Sequence, residues 1–505
     1  MHHVTHAGMA QQNMADVESA IFRGVRFLRA HAFLIAALSA LVIVPCIWHR
    51  RIEAGDLPSH VYNAWLARLL EQGRAPGLYI VWRWNNVLFD YLLLYSSKLL
   101  GFLVGSAVVV CVSALIFFWG VFSFLTAATG RPPWFLTPLI AMLTYGYTFN
   151  MGLFNYYLSI GLACFGLAIL WRPHRWDWLA GALILALAIL AHPIGALWYV
   201  ATLAYLSIRR RLRGAAGLVV PAPGIALFVA LHWYLAHAET WEVSWLDRPF
   251  YLFNGADQFA VYSSRYRFIA AACIAIMVVW LAREGFRWRE HLPHSKPFYL
   301  LAELYLVSFV AIALLPQDLR PVTDAAWIGL LVSRLTITSA VFALGVLGCL
   351  PPRKWVLVSL SACASIYFIL LYRDTVVMNR VESHAEALIS KLPFGTRVIS
   401  ILLAPPDSRI SFIQHVVDRA CVEHCFTYSN YEPSSGQFRL HVAPGSPLAT
   451  SKAADSQEMA AGNYTVRKTD PPLKVIYQCD SADLTVLCIR DLAVGEKTGP
   501  PDAVE

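Results

Sequence analysis

Asp56 stands in the run Gly55-Asp56-Leu57-Pro58-Ser59-His60, a few residues beyond the apolar stretch 32–48. A carboxylate at a lipid–water boundary can act as general base on a hydroxyl while reaching both a lipid-anchored and a polar reactant. The plainer reading is a loop aspartate that caps a turn. His60, one helical turn on, could orient it, and Glu53 is either a supporting acid or an ordinary loop residue. Arg334 falls inside the apolar run 327–350, where a charge is costly and marks a functional site by default. Its fork of donors suits a phosphate, which it would hold and stabilise as a leaving group. The alternatives are snorkelling or pairing with an acid such as Asp324. His192, at a hinge before Pro193, reads as a phosphate contact or as a backbone-bonded hinge residue. Tyr147, Asn150 and Asn155 gather with Tyr145 at one turn between apolar runs. Aromatic and amide side chains suit sugars, and they also form ordinary interface belts. Glu303, near the other end of its apolar run, reads as structural.

These residues are strung along a chain that cannot be a soluble protein. Of its 505 residues, 58% are hydrophobic and only 14% charged, against about 25% charged in soluble domains. The apolar runs lack period-2 alternation and so read as helices. Spans are expected near 31–48, 104–127, 134–149, 155–171, 177–191, 194–208, 215–236, 267–282, 298–315, 326–349 and 355–372, about eleven in all. The first is read as an uncleaved span, because His49-Arg50-Arg51 rather than a small-residue cleavage site follows it.

The net charge of +8 sits in short clusters: Arg23, Arg26 and Arg29; Arg131; Arg172 and Arg175; Arg209–Arg211 and Arg213; Arg283, Arg287, Arg289 and Lys296; Arg353 and Lys354. Every second loop is basic, as cytoplasmic loops are, so nucleic acid is not the expected partner. The stretch 178–208 must then be two short helices hinged at His192-Pro193. An odd span count with residues 1–30 inside puts the C-terminus outside. Arg50, Arg51, Arg68, Arg74, Arg83 and Lys98 run against this rule in the long loop 49–103, although long loops obey it weakly. Within that loop, 61–70 reads as an amphipathic helix capped by Ser59, and 86–100 as a Tyr-rich stretch lying along the membrane surface.

After Tyr372 the composition shifts. Helix–strand alternation over 373–493 predicts a small α/β domain, with 443–462 a loop and 494–505 a disordered tail. Its turn Asn430–Phe438 is a plain loop or an acceptor contact. Its four cysteines, Cys421, Cys425, Cys479 and Cys488, suit an oxidising compartment. Pairing Cys421–Cys425 and Cys479–Cys488 is one of three possibilities, and a zinc site is the alternative.

The layout resembles the membrane glycosyltransferases of the GT-C fold, which use polyprenyl-phosphate-linked sugars. The matching stretches are Gly55–His60, Pro76-Gly77-Leu78-Tyr79, Lys98-Leu99-Leu100-Gly101, Asn150–Asn155, His192-Pro193-Ile194-Gly195 and Ser333-Arg334-Leu335. They are short, although the layout covers nearly the whole chain. The resemblance implies an all-α GT-C-like domain over 31–372 in a bacterial inner membrane. It also implies an inverting transfer to an extracytoplasmic glycan, lipid or protein acceptor, with Asp56 as base and Arg334 as donor-phosphate anchor. Many members carry two adjacent acids; here only Glu53 lies near Asp56, which leaves a divalent cation (Mg or Mn) open. A transporter or flippase, or a non-catalytic subunit of an envelope complex, is the alternative. Transporters usually show repeated halves, and this chain shows none.

Overall fold

The computed structural model describes residues 29–174, 176–212, 219–246, 251–287, 296–322, 327–480 and 483–499. The expected N-terminal segment, Arg175, Arg213, Arg248, Arg289, Asp324 and residues 500–505 lie outside these. Among the described residues, six helices are long and apolar enough to cross a bilayer, which marks a membrane-embedded protein. They are α1 (Arg29–Ile47), α3 (Leu88–Thr129), α11 (Arg265–Arg287), α12 (Lys296–Leu314), α13 (Leu331–Gly348) and α14 (Lys354–Ile389). The apolar stretch of α13 is 72% buried, far more than the others, so α13 runs through the centre of the bundle.

The remaining apolar runs also form helices. They are α4 (Thr137–Thr144), α5 (Tyr147–Asn150), α6 (Phe154–Leu170), α7 (Asp177–Ala191), α8 (Pro193–Arg211), α9 (Pro221–His237) and the single turn α10 (Tyr251–Asn254). The expected span 134–149 is broken into a short 3-10 turn, α4 and α5. His192 is extended (φ −164°, ψ 132°) and separates α7 from α8. Glu303 on α12 is paired with Arg209 and Tyr205.

Two readings of the first loop need correction. Helix α2 (Leu57–Glu71) is buried on nearly every side rather than amphipathic at a surface. Ser59 does not cap it; its hydroxyl donates to Glu432 Oε1 instead (3.3 Å). The stretch 86–100 is not separate from the next span but continues into it as α3, broken at Gly101 (φ 78°, ψ 165°). That conformation is open essentially to glycine alone, and the chain doubles back there so that Gly105 packs on the backbone of Ser96 and Ser97.

The composition shift at Tyr372 is likewise no structural break, because α14 runs through it to Ile389. Strands β2 (Trp241–Ser244) and β3 (Asp318–Pro321) form an antiparallel pair before α14, and beyond it lie β4 (Arg397–Ile401), β5 (Phe426–Thr427), β7 (Leu473–Gln478) and β8 (Leu487–Leu492), ordered β5-β4-β7-β8. β4 is parallel to β5 and β7, and β8 closes the sheet antiparallel. Short helices α15 (Val416–Ala420), α16 (Tyr431–Ser435) and α17 (Ala453–Ala460) accompany the sheet. α17 falls inside the expected loop 443–462. Residues 494–499 are ordered rather than a free tail: Thr498 is fully buried and Lys497 bridges Thr465. Disulfides join Cys421–Cys425 and Cys479–Cys488.

The C-terminal region is sewn onto the first loop. Strand β1 (Leu78–Ile80) pairs with β6 (Leu440–Val442), and one continuous core links Leu57 and Trp65 with Cys421, Phe426 and Leu440. Three basic residues of the loop are held by partners, two of them by groups in the C-terminal region. Arg51 pairs with Glu382, Arg83 donates to the carbonyls of Gly436 and Phe438, and Lys98 pairs with Glu71.

Candidate functional site

Asp56 precedes α2 and is held from behind by the turn after α5. Gly55 N donates to Asn150 O (2.7 Å) and Asp56 N to Met151 O (3.1 Å). Gly152 (φ 86°) lies so close that a Cβ there would sit 2.5 Å from Asp56 N. The carboxylate, 22% exposed, accepts a hydrogen bond from the Tyr431 hydroxyl on Oδ1 (2.7 Å). His60 Nε2 lies 3.7 Å from Oδ2 and His415 Nε2 3.8 Å from Oδ1. Both exceed hydrogen-bond range, so the imidazoles act on Asp56 through charge.

Each imidazole is braced on its far nitrogen. Asp90 holds His60 Nδ1 and Asp418 holds His415 Nδ1, both at 2.8 Å. Asn155 in turn orients Asp90. Its amide donates to Asp90 Oδ2 (2.9 Å), and its carbonyl accepts from Phe89 N (2.8 Å). Burial disfavours the imidazolium of His60, but the charge and hydrogen bond of Asp90, with the charges of Asp56 and Glu432, prevail and hold its pKa at about 10. The same balance raises His415, with Asp418 dominant among the acids. Burial, together with the charges of Asp90 and Asp56, pushes the Glu432 carboxyl up to about 8 against the opposing pull of His60 and Arg439. At neutral pH a protonated Glu432 thus sits beside the charged His60 imidazole.

Arg334 stands in the first turn of α13. The preceding residue cap, Leu330, is left-handed (φ 56°), an uncommon conformation for a branched side chain. The Arg334 guanidinium is buried, with the hydroxyls of Tyr156 and Tyr147 and the carboxylates of Asp56 and Asp318 within electrostatic reach, and the Tyr156 hydroxyl donates to the Arg334 carbonyl (2.8 Å). Arg334 Nε is buried and has no hydrogen-bond partner among the described residues. A buried unpartnered donor on a cation is a standing cost and marks a place where an anion would be satisfied.

The other expected site residues have different duties. His192 Nδ1 accepts from Ile194 N (3.2 Å) and so caps α8, with the ring edge-on to Tyr156; this nitrogen is not available to a phosphate. Asn150 is spent within its own turn: it donates to the Tyr145 and Gly146 carbonyls and accepts from Tyr262 (2.8 Å). Tyr147 carries the Arg409 guanidinium on its ring face at 3.8 Å, and Arg409 is paired with buried Asp257 (2.9 Å). Glu53 belongs to a buried ionic cluster, not to the Asp56 site. It pairs with Arg419 (3.0 Å), which also binds Glu382 and the Ile52 carbonyl. Burial and Glu382 push the Glu53 carboxyl up to about 8 despite Arg419 and Arg51, and its Oε1 has no hydrogen-bond partner among the described residues.

Asp90, His415, Asp418, Tyr431, Glu432 and Arg439 were not expected from the sequence. An acid in the apolar stretch 86–100 was a usable signal for Asp90. The others stand more than 300 positions from Asp56, and only the polar turn at Asn430 hinted at them. Among the described residues, no group of three or more His, Cys, Asp or Glu is placed to hold a metal ion. Comparison with protein-family models, curated proteins and solved structures gave no match.

Proposed function

We propose that this chain is an integral-membrane glycosyltransferase of the GT-C type, moving a sugar from a polyprenyl-phosphate donor to an extracytoplasmic acceptor. The observation that carries the reading is the buried Nε of Arg334, unpartnered among the described residues, within electrostatic reach of the partly buried Asp56 carboxylate. Inverting transfer from a glycosyl phosphate needs a base for the acceptor hydroxyl and positive charge for the departing phosphate. Asp56, steadied by Tyr431 and flanked by His60 and His415, takes the proton. Arg334 holds the phosphate and stabilises the charge that develops as the sugar–oxygen bond breaks. The neutral Glu432 keeps the cluster from repelling an anionic donor.

The topology in this reading is about eleven spans in a bacterial inner membrane, with the N-terminus cytoplasmic and the C-terminal region outside. Two disulfides in that region fit an oxidising compartment. Nucleotide sugars are lacking there, which makes a lipid-linked donor the natural one.

The test is transfer from radiolabelled polyprenyl-phosphate sugars to endogenous acceptors in membranes expressing the chain. Asp56→Asn should lower the rate roughly 100- to 10,000-fold, and Arg334→Gln about 100- to 1,000-fold. Wild-type membranes without transfer from any such donor, or an Asp56→Asn chain with full activity, would refute the reading. An Asp56→Asn chain that also kept its cellular phenotype would point to a non-catalytic envelope subunit.

A further inference from the structure

A second cationic feature is lined by residues just before Asp56 in the chain but does not include Asp56. A cavity of about 330 Å³ opens between the end of α1 and the upper part of α14. Arg50, Arg51 and Arg380 line it, with His49 and His384. Its floor is built rather than incidental. The Arg51 side chain is 3% exposed; its Nη1 donates to Ser383 Oγ (3.2 Å), and its backbone N donates to Asn379 Oδ1 (3.2 Å). The residues that line the cavity include three arginines and no acid; the acids nearby lie behind or beside it. Glu386 meets both Arg50 and Arg51, Glu382 is shared between Arg51 and Arg419, and Asp483 lies near Arg380 and His384 at the rim.

The height of this cavity is set by aromatic rings. Trp48 packs edge-on against Tyr372 (5.4 Å) and His49 lies on the same ring (4.7 Å), just where the apolar parts of α1 and α14 end. Such rings mark the membrane–water boundary. Four residues along α14, at 1.5 Å each, carry the chain from Tyr372 to Val376 at the cavity wall, about 6 Å above that level. The polar headgroup layer is about 5–8 Å thick on each face. The cavity mouth therefore stands at the depth of lipid phosphates, and exposed Arg50 (67%) is turned into it.

We infer that this cavity binds an anionic phosphate headgroup of a membrane lipid, at a site separate from Asp56 and Arg334. Arginine is the side chain best suited to phosphate oxygens, and the flanking histidines add donors. The phosphate chemistry is common to lipid and free phosphate; the position at headgroup depth decides for the lipid.

The full chain would be reconstituted in phosphatidylcholine nanodiscs containing one-tenth phosphatidylglycerol. Native mass spectrometry then counts the anionic lipids that remain bound on release. Arg50→Gln with Arg380→Gln spares the Arg51 floor and should weaken retention roughly thirty-fold. Lys468→Gln with Lys497→Gln removes the same charge from exposed positions elsewhere and should leave retention unchanged. Equal loss in both double variants, or none in the first, overturns the assignment. So does a cavity that binds radiolabelled inorganic phosphate in pure phosphatidylcholine discs, loses it with Arg50 and Arg380, and retains no phosphatidylglycerol.

Discussion

Glu432 and His60 face one another's charges across Asp56 and Asp90, and both take up protons when the chain folds. Glu432 has a folded pKa of about 8 against 4.5 for a free carboxyl, so stability falls as pH rises from about 4.5 to about 8. His60 rises from 6.5 to about 10; its contribution is whole below pH 6.5 and is lost as pH climbs through 10. The two signs agree. The melting temperature of the purified chain should therefore decline steadily from pH 5 to pH 10. His60→Gln should flatten the decline above pH 7, and Glu432→Gln the decline below pH 8, as read by intrinsic fluorescence. A melting temperature that rises between pH 6 and 9 would contradict the protonation states assigned here. Asp56 and Arg334 were legible as single residues because a charge beside or within an apolar run stands out. Their neighbours were not, because Tyr431 and His415 resemble any other surface residue until the chain folds.

At the scale of elements, the site depends on a turn rather than on a helix. The turn after α5 holds Asp56 by two backbone hydrogen bonds, and Gly152 makes that approach possible. Gly152→Ala would add a Cβ in a left-handed position against Asp56 itself. It should cost about 1–3 kcal/mol and lower transfer at least tenfold, with KM for the donor less affected than kcat. Gly73→Ala (φ 69°), where nothing lies within 4 Å of the added carbon, should carry only the backbone cost and keep activity. Helix boundaries such as the His192 hinge could be read from Pro193 and the alternation of basic loops. The burial of α2 could not. Its sequence presents a polar face, but whether water or protein covers that face is decided by residues 416–442, far along the chain.

For the molecule as a whole, the ionic cluster around Arg419 ties three distant pieces together: the first loop through Glu53 and Ile52, α14 through Glu382, and α15 itself. Removing one member of a buried pair leaves uncompensated charge. Arg419→Met should thus cost about 3–5 kcal/mol, expose the C-terminal region to protease, and lower activity through the loss of Tyr431 and His415 from Asp56. Glu53→Gln should cost far less at pH 7, since Glu53 is already held protonated there. If limited proteolysis found Arg419→Met as resistant as wild type, the cluster would not be the tie described.

What the chain's order of residues determined by itself is its solvent and its rhythm. Apolar runs of helical length in a sparsely charged chain have nowhere to lie but a membrane, and local rules of proline, glycine and basic loops set where most helices break. What only the tertiary structure decided is which polar groups meet. Burial, charge and hydrogen bonding act over a few ångströms of space, whereas Asp56 and Tyr431 are separated by 375 positions of chain. The same reason explains why Glu53, close to Asp56 in sequence, serves the ionic tie instead, and why the acid that orients His60 is Asp90.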